Sequence, residues 1–207
     1  MLLGMQVTRN YEKGTIMLSQ MHYIDTMLMR FRLDGANPVQ TPLNPNVNLD
    51  PEYDEHEDIL DDQGSASYAT IIGSLMYVGL GSRPDIAYSV QQLAQFMRKP
   101  EPKHWTAVKR VLRCLKGTKE QVLTYGGNNQ TWNSDLEFYC DADWGSENDR
   151  KLISGYVVLC AGGAVAWSSK KQNTVALSTA EAEYIAATHV TKQVLWYIPI
   201  TIRQIGN

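Results

Sequence analysis

Two carboxylates and one run of cations are the residues here whose types and spacing can do chemistry. Asp141 closes an alternating stretch in which Leu136, Phe138 and Cys140 take one face and Glu137, Tyr139 and Asp141 the other. A carboxylate at a strand end is held rigidly enough to serve as a ligand or catalyst. It serves a turn equally well, and Asp141-Ala-Asp143-Trp-Gly145 has turn chemistry. The second carboxylate follows Ser178-Thr-Ala-Glu181, a capping box that gives Glu181 a structural task at a helix start. Glu183 has no such task. At about 100° per residue, Ala186, Ala187, Val190, Val194 and Tyr197 fall within about 60° of it, and Glu181 about 160° away. Glu183 is therefore expected on an apolar face, where it needs a cation, a hydrogen-bond network or a metal. The alternative is a glutamate at the rim of that face, reaching water. Converging carboxylates are what a protein offers a hard divalent ion. Two such ions activate water and stabilise the leaving oxygen of a phosphodiester.

The cations lie upstream. Between 98 and 119 there are eight Lys or Arg residues and one acid. Trp105, Val108, Leu112 and Leu115 recur as one buried helical stripe, and Lys109, Arg110, Arg113 and Lys116 fall off it, facing outward. Such a face is either simply solvated or a phosphate-tracking surface with salt-dependent affinity. The opposite charge is concentrated too: residues 50–62 carry eight acids and no Lys or Arg. That run reads as a solvated loop or as a phosphate mimic for a basic groove. Without it, fourteen acids face nineteen bases, although the whole chain has a net charge of only −3.

The elements that must position these groups fall in two parts. Residues 2–8 and 15–18 read as a hairpin around Glu12-Lys-Gly14, and Ser19 as the cap of a helix bearing Tyr23, Ile24, Met27, Leu28 and Phe31. Residues 34–65, with four prolines and the acidic run, read as an extended, exposed linker. Helices are expected over 68–80, 85–98 and 103–116. From 121 the periodicity becomes alternating, with strands expected at 121–125, 136–141, 154–159, 164–168 and 174–177, then a helix from 178 towards 198. Residues 152–169 are uncharged over nearly the length of a membrane span, but their glycines and serines favour a hairpin turning at Gly162-Gly163. No membrane partner is expected. With 43% hydrophobic and 20% charged residues, the 207-residue chain is neither disordered nor a disulfide-stapled miniprotein. Three widely spaced cysteines and no visible signal segment fit an intracellular, reducing compartment, cytoplasm or nucleus.

Several collinear motifs then carry a resemblance. Tyr139-Cys-Asp-Ala-Asp-Trp144, Ser154-Gly-Tyr156, Ala166-Trp-Ser-Ser-Lys-Lys-Gln172 and Ala176-Leu-Ser-Thr-Ala-Glu-Ala-Glu-Tyr184 resemble the ribonuclease H domain of copia-type LTR retrotransposon polyproteins. Leu3-Gly-Met-Gln-Val7, Leu18-Ser-Gln20, Pro38-Val-Gln-Thr-Pro42, Gly73-Ser-Leu-Met-Tyr77, Arg83-Pro-Asp-Ile-Ala87 and Lys109-Arg-Val-Leu-Arg-Cys-Leu-Lys-Gly-Thr118 resemble the late part of the same family's reverse transcriptase. The resemblance implies an α+β or α/β architecture. A reverse-transcriptase thumb- or connection-like helical segment would occupy 1–117, with a linker over 34–65. An incomplete RNase H-like mixed sheet with helices would occupy 118–207. It implies Mg²⁺ or Mn²⁺ as cofactor, and RNA–DNA hybrids and the remainder of the retrotransposon Pol as partners. Asp141 matches the first-strand catalytic and metal-binding Asp, and Glu183 the helix Glu. Lys109, Arg110, Arg113 and Lys116 are the expected nucleic-acid contacts.

The departures from the family are informative. Its paired-Asp polymerase motif lies upstream of the opening hairpin, and no Asp or Glu follows Glu183. Pro199 sits where the helix should continue, at a cost of about 3 kcal/mol. The chain is accordingly expected to be a polyprotein fragment that neither polymerises nor cleaves efficiently alone. Non-catalytic nucleic-acid binding and an inert remnant stand as the other readings.

Overall fold

A computed structural model describes residues 3–50, 62–127, 136–143, 153–172 and 178–205. The architecture is α+β. In chain order come β1 (Gln6–Asn10), β2 (Thr15–Ser19), α1 (Met21–Arg30), α2 (Asp62–Gly81), a 3₁₀ turn (Pro84–Ile86), α3 (Ala87–Ala94), α4 (Pro102–Gly117), β3 (Leu123–Gly126), β4 (Leu136–Asp143), β5 (Ile153–Cys160), β6 (Gly163–Lys171) and α5 (Thr179–Ile205). The described strands form two three-stranded sheets, ordered β1-β2-β3 and β4-β5-β6. The chain divides into two compact units. One comprises Met1–Val7 and Leu18–Val122, the other Thr8–Met17 and Leu123–Asn207.

The first unit is helical. On α2, Tyr68, Ile71, Ile72, Leu75 and Val78 are buried at helical spacing, and they pack with Ile24 and Leu28 of α1 and Leu93 of α3. The stripe expected on α4 is present but wider, because His104, Ala107, Val111 and Cys114 are buried beside Val108, Leu112 and Leu115. Helix α3 stops at Ala94 rather than continuing to Arg98. The amides of Gln95, Phe96 and Met97 bond three residues back, tightening the chain ahead of Pro100. Helix α1 is capped at Gln20 rather than Ser19, although the Ser19 hydroxyl still accepts the Met21 N–H at 3.2 Å.

Two buried polar locks account for several of the recognised motifs. Gln20 accepts from the Ser82 hydroxyl at 2.7 Å, and its amide lies so close to Gly81 that a Cβ there would fall 2.7 Å from Nε2. Arg83 is buried, with a two-point ion pair to Asp85 at 2.7–2.8 Å and bonds to the Thr118 carbonyl and hydroxyl at 3.0 and 2.6 Å. Each buried polar group is thereby satisfied, and the end of α4 is fixed to the 3₁₀ turn.

In the second unit β4, β5 and β6 pair antiparallel, with Asp141 opposite Gly155 and Gly155 opposite Ser169. Ala161 and Gly162 form the β5–β6 turn with φ of +49° and +77°, the conformation that suits strand twist in a two-residue hairpin. Strand β3 abuts this turn: the Gly126 N–H donates to the Ala161 carbonyl at 2.8 Å, and the Tyr125 hydroxyl to that of Ala164 at 2.7 Å. Gly163 is required there, since a Cβ would lie 2.6 Å from the Thr124 carbonyl oxygen. Over 153–169 the uncharged stretch thus folds as hairpin strands, and among the described residues no helix is long and apolar enough to cross a membrane. Helix α5 packs on β4 and β5 and runs through Pro199 to Ile205, so that proline does not end it. The strand expected at 174–177 and the acidic residues 51–61 lie outside the described residues.

Candidate carboxylate site and the basic helix

Asp141 lies within β4 rather than at its end, because the strand continues to Asp143. Its side chain is exposed, and its Oδ1 accepts the Ala142 N–H at 2.9 Å, which fixes one oxygen and leaves the other to solvent. Ala142 is packed against Ala182 in the first turns of α5. Strand alternation therefore assigns Ala142 to the helix side of the sheet and Asp141 to the other side.

Glu183 follows Ala182 on α5. The buried line of that helix runs through Ala182, Ala186 and Val190, about 60° round from Glu183. Glu183 is exposed. The expectation of a carboxylate within the packed apolar face is thereby corrected: the helix is rotated so that small residues meet the sheet, and Glu183 stands at the rim. Ser178 accepts the Glu181 N–H at 3.2 Å, as the capping motif requires. Asp141 and Glu183 are thus the chain neighbours of a contacting alanine pair, both open to water. As hard oxygen donors they suit a hydrated divalent ion, which keeps several of its own waters. Among the described residues, no group of three or more His, Cys, Asp or Glu is placed to hold a metal.

Sequence reasoning missed Gln172. It is the first residue after β6, 4% exposed, and its Nε2 donates to Ser154 Oγ at 2.6 Å and to the Ala182 carbonyl at 3.3 Å. Its place at the end of a Lys-Lys-Gln run gave no periodic signal of burial.

The basic helix differs from expectation more sharply. Lys109 is exposed, its ammonium 5.4 Å from the Trp105 ring centroid. The other three cations are half-buried and bonded to the 36–41 segment. Arg110 donates to Thr41 Oγ1 at 2.8 Å, Arg113 to the Asn37 carbonyl at 2.6 Å, and Lys116 to the Ala36 carbonyl at 2.7 Å. Further along, Lys103 donates to the Asp50 carbonyl at 2.7 Å, and His104 bonds the Leu49 carbonyl at 2.8 Å. The segment 36–50 is therefore a strap laid antiparallel along α4, not a free linker. A proline-rich segment makes few hydrogen bonds with itself, so its carbonyls are available to these side chains.

Comparison with known proteins gives relatives over most of the chain. The retrovirus-related Pol polyprotein from transposon TNT 1-94 of Nicotiana tabacum is 40% identical over 199 residues, 94% of this chain and 14% of that protein. The retrovirus-related Pol polyprotein from transposon RE1 of Arabidopsis thaliana is 38% identical over 181 residues, 86% of this chain and 12% of that protein. The secreted RxLR effector protein 161 of Plasmopara viticola is 41% identical over 140 residues, 67% of this chain and 96% of that protein. No protein-family model matches the chain, and no solved structure does.

Proposed function

Because the chain belongs to the copia-type LTR retrotransposon Pol family, we propose that its second unit is the RNase H-like part of such a polyprotein and acts on the RNA strand of RNA–DNA hybrids. The first unit is then the terminal part of the reverse transcriptase. The chain spans about a seventh of the tobacco polyprotein, so its partners include the remainder of Pol. The observation that carries this reading is the similarity to Pol polyproteins over most of the chain; within the second unit α5, which bears Glu183, packs on β4 at the Ala142–Ala182 contact, with Asp141 on the other face of that strand.

Asp141, from the sheet face away from α5, and Glu183 would each offer a carboxylate to Mg²⁺ or Mn²⁺. When bound, such an ion supplies Lewis-acid activation of a water and neutralises charge developing on the phosphate. The Ala142 N–H orients the Asp141 carboxylate by one oxygen and leaves the second for a ligand. The exposure of Glu183 lets it reach a ligand while solvent stabilises its charge when none is present.

Titration of the full chain with Mn²⁺, followed by the electron paramagnetic resonance of the free ion, tests this reading. Saturable binding that Asp141→Asn and Glu183→Gln each abolish is the expected result. Binding indifferent to both substitutions overturns it. The other reading, hybrid binding through α4 without cleavage, is not favoured, since Arg110, Arg113 and Lys116 are already engaged by the strap.

A further inference from the structure

Pro38-Val-Gln-Thr-Pro42, one of the motifs singled out in the sequence, has no part in the carboxylate site. It lies in the strap along α4, and strap and helix both belong to the first unit. Thr41 is exposed, and it is the only Ser or Thr in the chain that precedes a proline. The residue before a proline is held away from the helical region, in extended backbone. Thr41 therefore presents its hydroxyl from an extended, accessible segment, the form in which a protein kinase takes up an acceptor residue.

What that hydroxyl faces is a half-occupied arginine fork. Arg110 Nη2 donates to Thr41 Oγ1 at 2.8 Å. Arg110 Nε is buried and, among the described residues, has no acceptor. Arg83 shows the same fork filled: its Nε and Nη2 hold the two oxygens of Asp85 at 2.8 and 2.7 Å. A neutral hydroxyl offers Arg110 one oxygen and no charge, so it meets only half of what the guanidinium presents. A phosphate on that oxygen brings three strong acceptors and about −1.5 to −2 of charge at pH 7. Guanidinium and phosphate then match two bonds to two. Arg113, one turn further along α4, holds the Asn37 carbonyl at 2.6 Å and adds positive charge beside the same part of the strap.

We propose that Thr41 is a phosphorylation site for a proline-directed protein kinase, and that its phosphate docks on the Nε–Nη2 fork of Arg110 and clamps the strap to α4. Thr41 Oγ1 attacks the γ-phosphorus of ATP and the bond from that phosphorus to the β–γ bridging oxygen breaks. The hydroxyl proton passes to the kinase's catalytic base, and ADP leaves. The phosphate so formed neutralises an α4 cation in place, and the strap becomes harder to displace.

The test incubates the full chain with a proline-directed kinase and ATP. One phosphate is expected, placed on Thr41 by fragmentation mass spectrometry and not acquired by Thr41→Ala. Phosphorus-31 resonance followed against pH then reads the docking. In the urea-unfolded chain the phosphothreonine should titrate near pH 6, about its ordinary value. In the folded chain the midpoint should lie lower by about one pH unit, a tenfold loss of proton affinity caused by the facing guanidinium. Arg110→Gln should return it most of the way to the unfolded midpoint. Arg110→Lys keeps a charge but loses the fork; it should return the midpoint part-way, and it decides the matter if Arg110→Gln does not fold. The Val39 N–H, which donates to the Arg113 carbonyl at 3.4 Å, should exchange more slowly once Thr41 is phosphorylated. A folded chain left unmodified at Thr41 overturns the site. A midpoint equal in folded and unfolded chains, or not moved by the changes at Arg110, overturns the docking.

Discussion

His104 shows how much one side chain can decide. It is fully buried and stacked on Phe96 at 3.9 Å between ring centroids. Its Nδ1 accepts the Glu101 N–H at 2.9 Å, so Nε2 carries the proton and donates to the Leu49 carbonyl. Burial holds its pKa below the usual value, outweighing the bond to Leu49 and the Glu101 charge, which raise it; Lys103 adds to the lowering. A second ring proton would also face the Glu101 N–H. The unfolded chain therefore takes up this proton first as pH falls. The stability due to neutral His104 is present above about pH 6.5 and is lost progressively below it. Chemical denaturation should show the first unit weakening from pH 7.5 to 5.5, and His104→Gln should flatten that dependence while costing about 1–3 kcal/mol at pH 7.5. An equal slope in both proteins would show that other groups control it.

Among elements, the β3–hairpin junction and the strap on α4 make opposite demands. Gly163→Ala places a methyl group 2.6 Å from the backbone oxygen of Thr124, which cannot turn aside, so a loss of about 1–3 kcal/mol is expected in thermal denaturation. Gly155→Ala meets only the Ser168 carbonyl at 3.9 Å and should be tolerated within about 0.5 kcal/mol. On α4, changing Arg110, Arg113 and Lys116 to Gln should lower the melting temperature by several degrees, whereas Lys109→Gln should leave it nearly unchanged. Three free phosphate contacts would contribute about 2.7 units to the log–log salt slope of hybrid binding. Because the strap already occupies these groups, the triple variant should change the slope by much less. A loss near the full value would mean that nucleic acid displaces the strap.

Most of the chain matches one segment of much longer Pol proteins, and its chemistry is best tested in that light. Two-metal cleavage needs ions on both sides of the scissile phosphate, each with its own ligands. Asp141 and Glu183 together are a sparse set for one Mg²⁺, which holds its waters tightly. The 207-residue chain alone is therefore expected to cleave the RNA of hybrids very slowly across a range of Mg²⁺ and Mn²⁺ concentrations. Gel analysis of a labelled hybrid checks this. Rapid cleavage lost in both Asp141→Asn and Glu183→Gln would show that two carboxylates suffice or that another chain completes the site.

What the amino-acid order determined by itself was local. Period-two and helical spacing placed β4, β5, β6 and α4 to within a few residues, and Ser178 marked the start of α5, because these signals depend on neighbours a few positions apart. The motifs also singled out Asp141 and Glu183 from twenty-two acids. Tertiary structure decided which groups are free. Three cations that face outward on an isolated α4 are claimed by carbonyls and a hydroxyl 69 to 80 residues earlier, at 36, 37 and 41. No periodicity within the helix can announce that. Helix α5 has apolar residues around a broad arc, so its rotation is set by which of them meets the sheet, and Ala142 selected Ala182. That rotation put Glu183 at the water-facing rim. The same long-range fit buried Gln172, whose polarity read alone would have placed it at the surface.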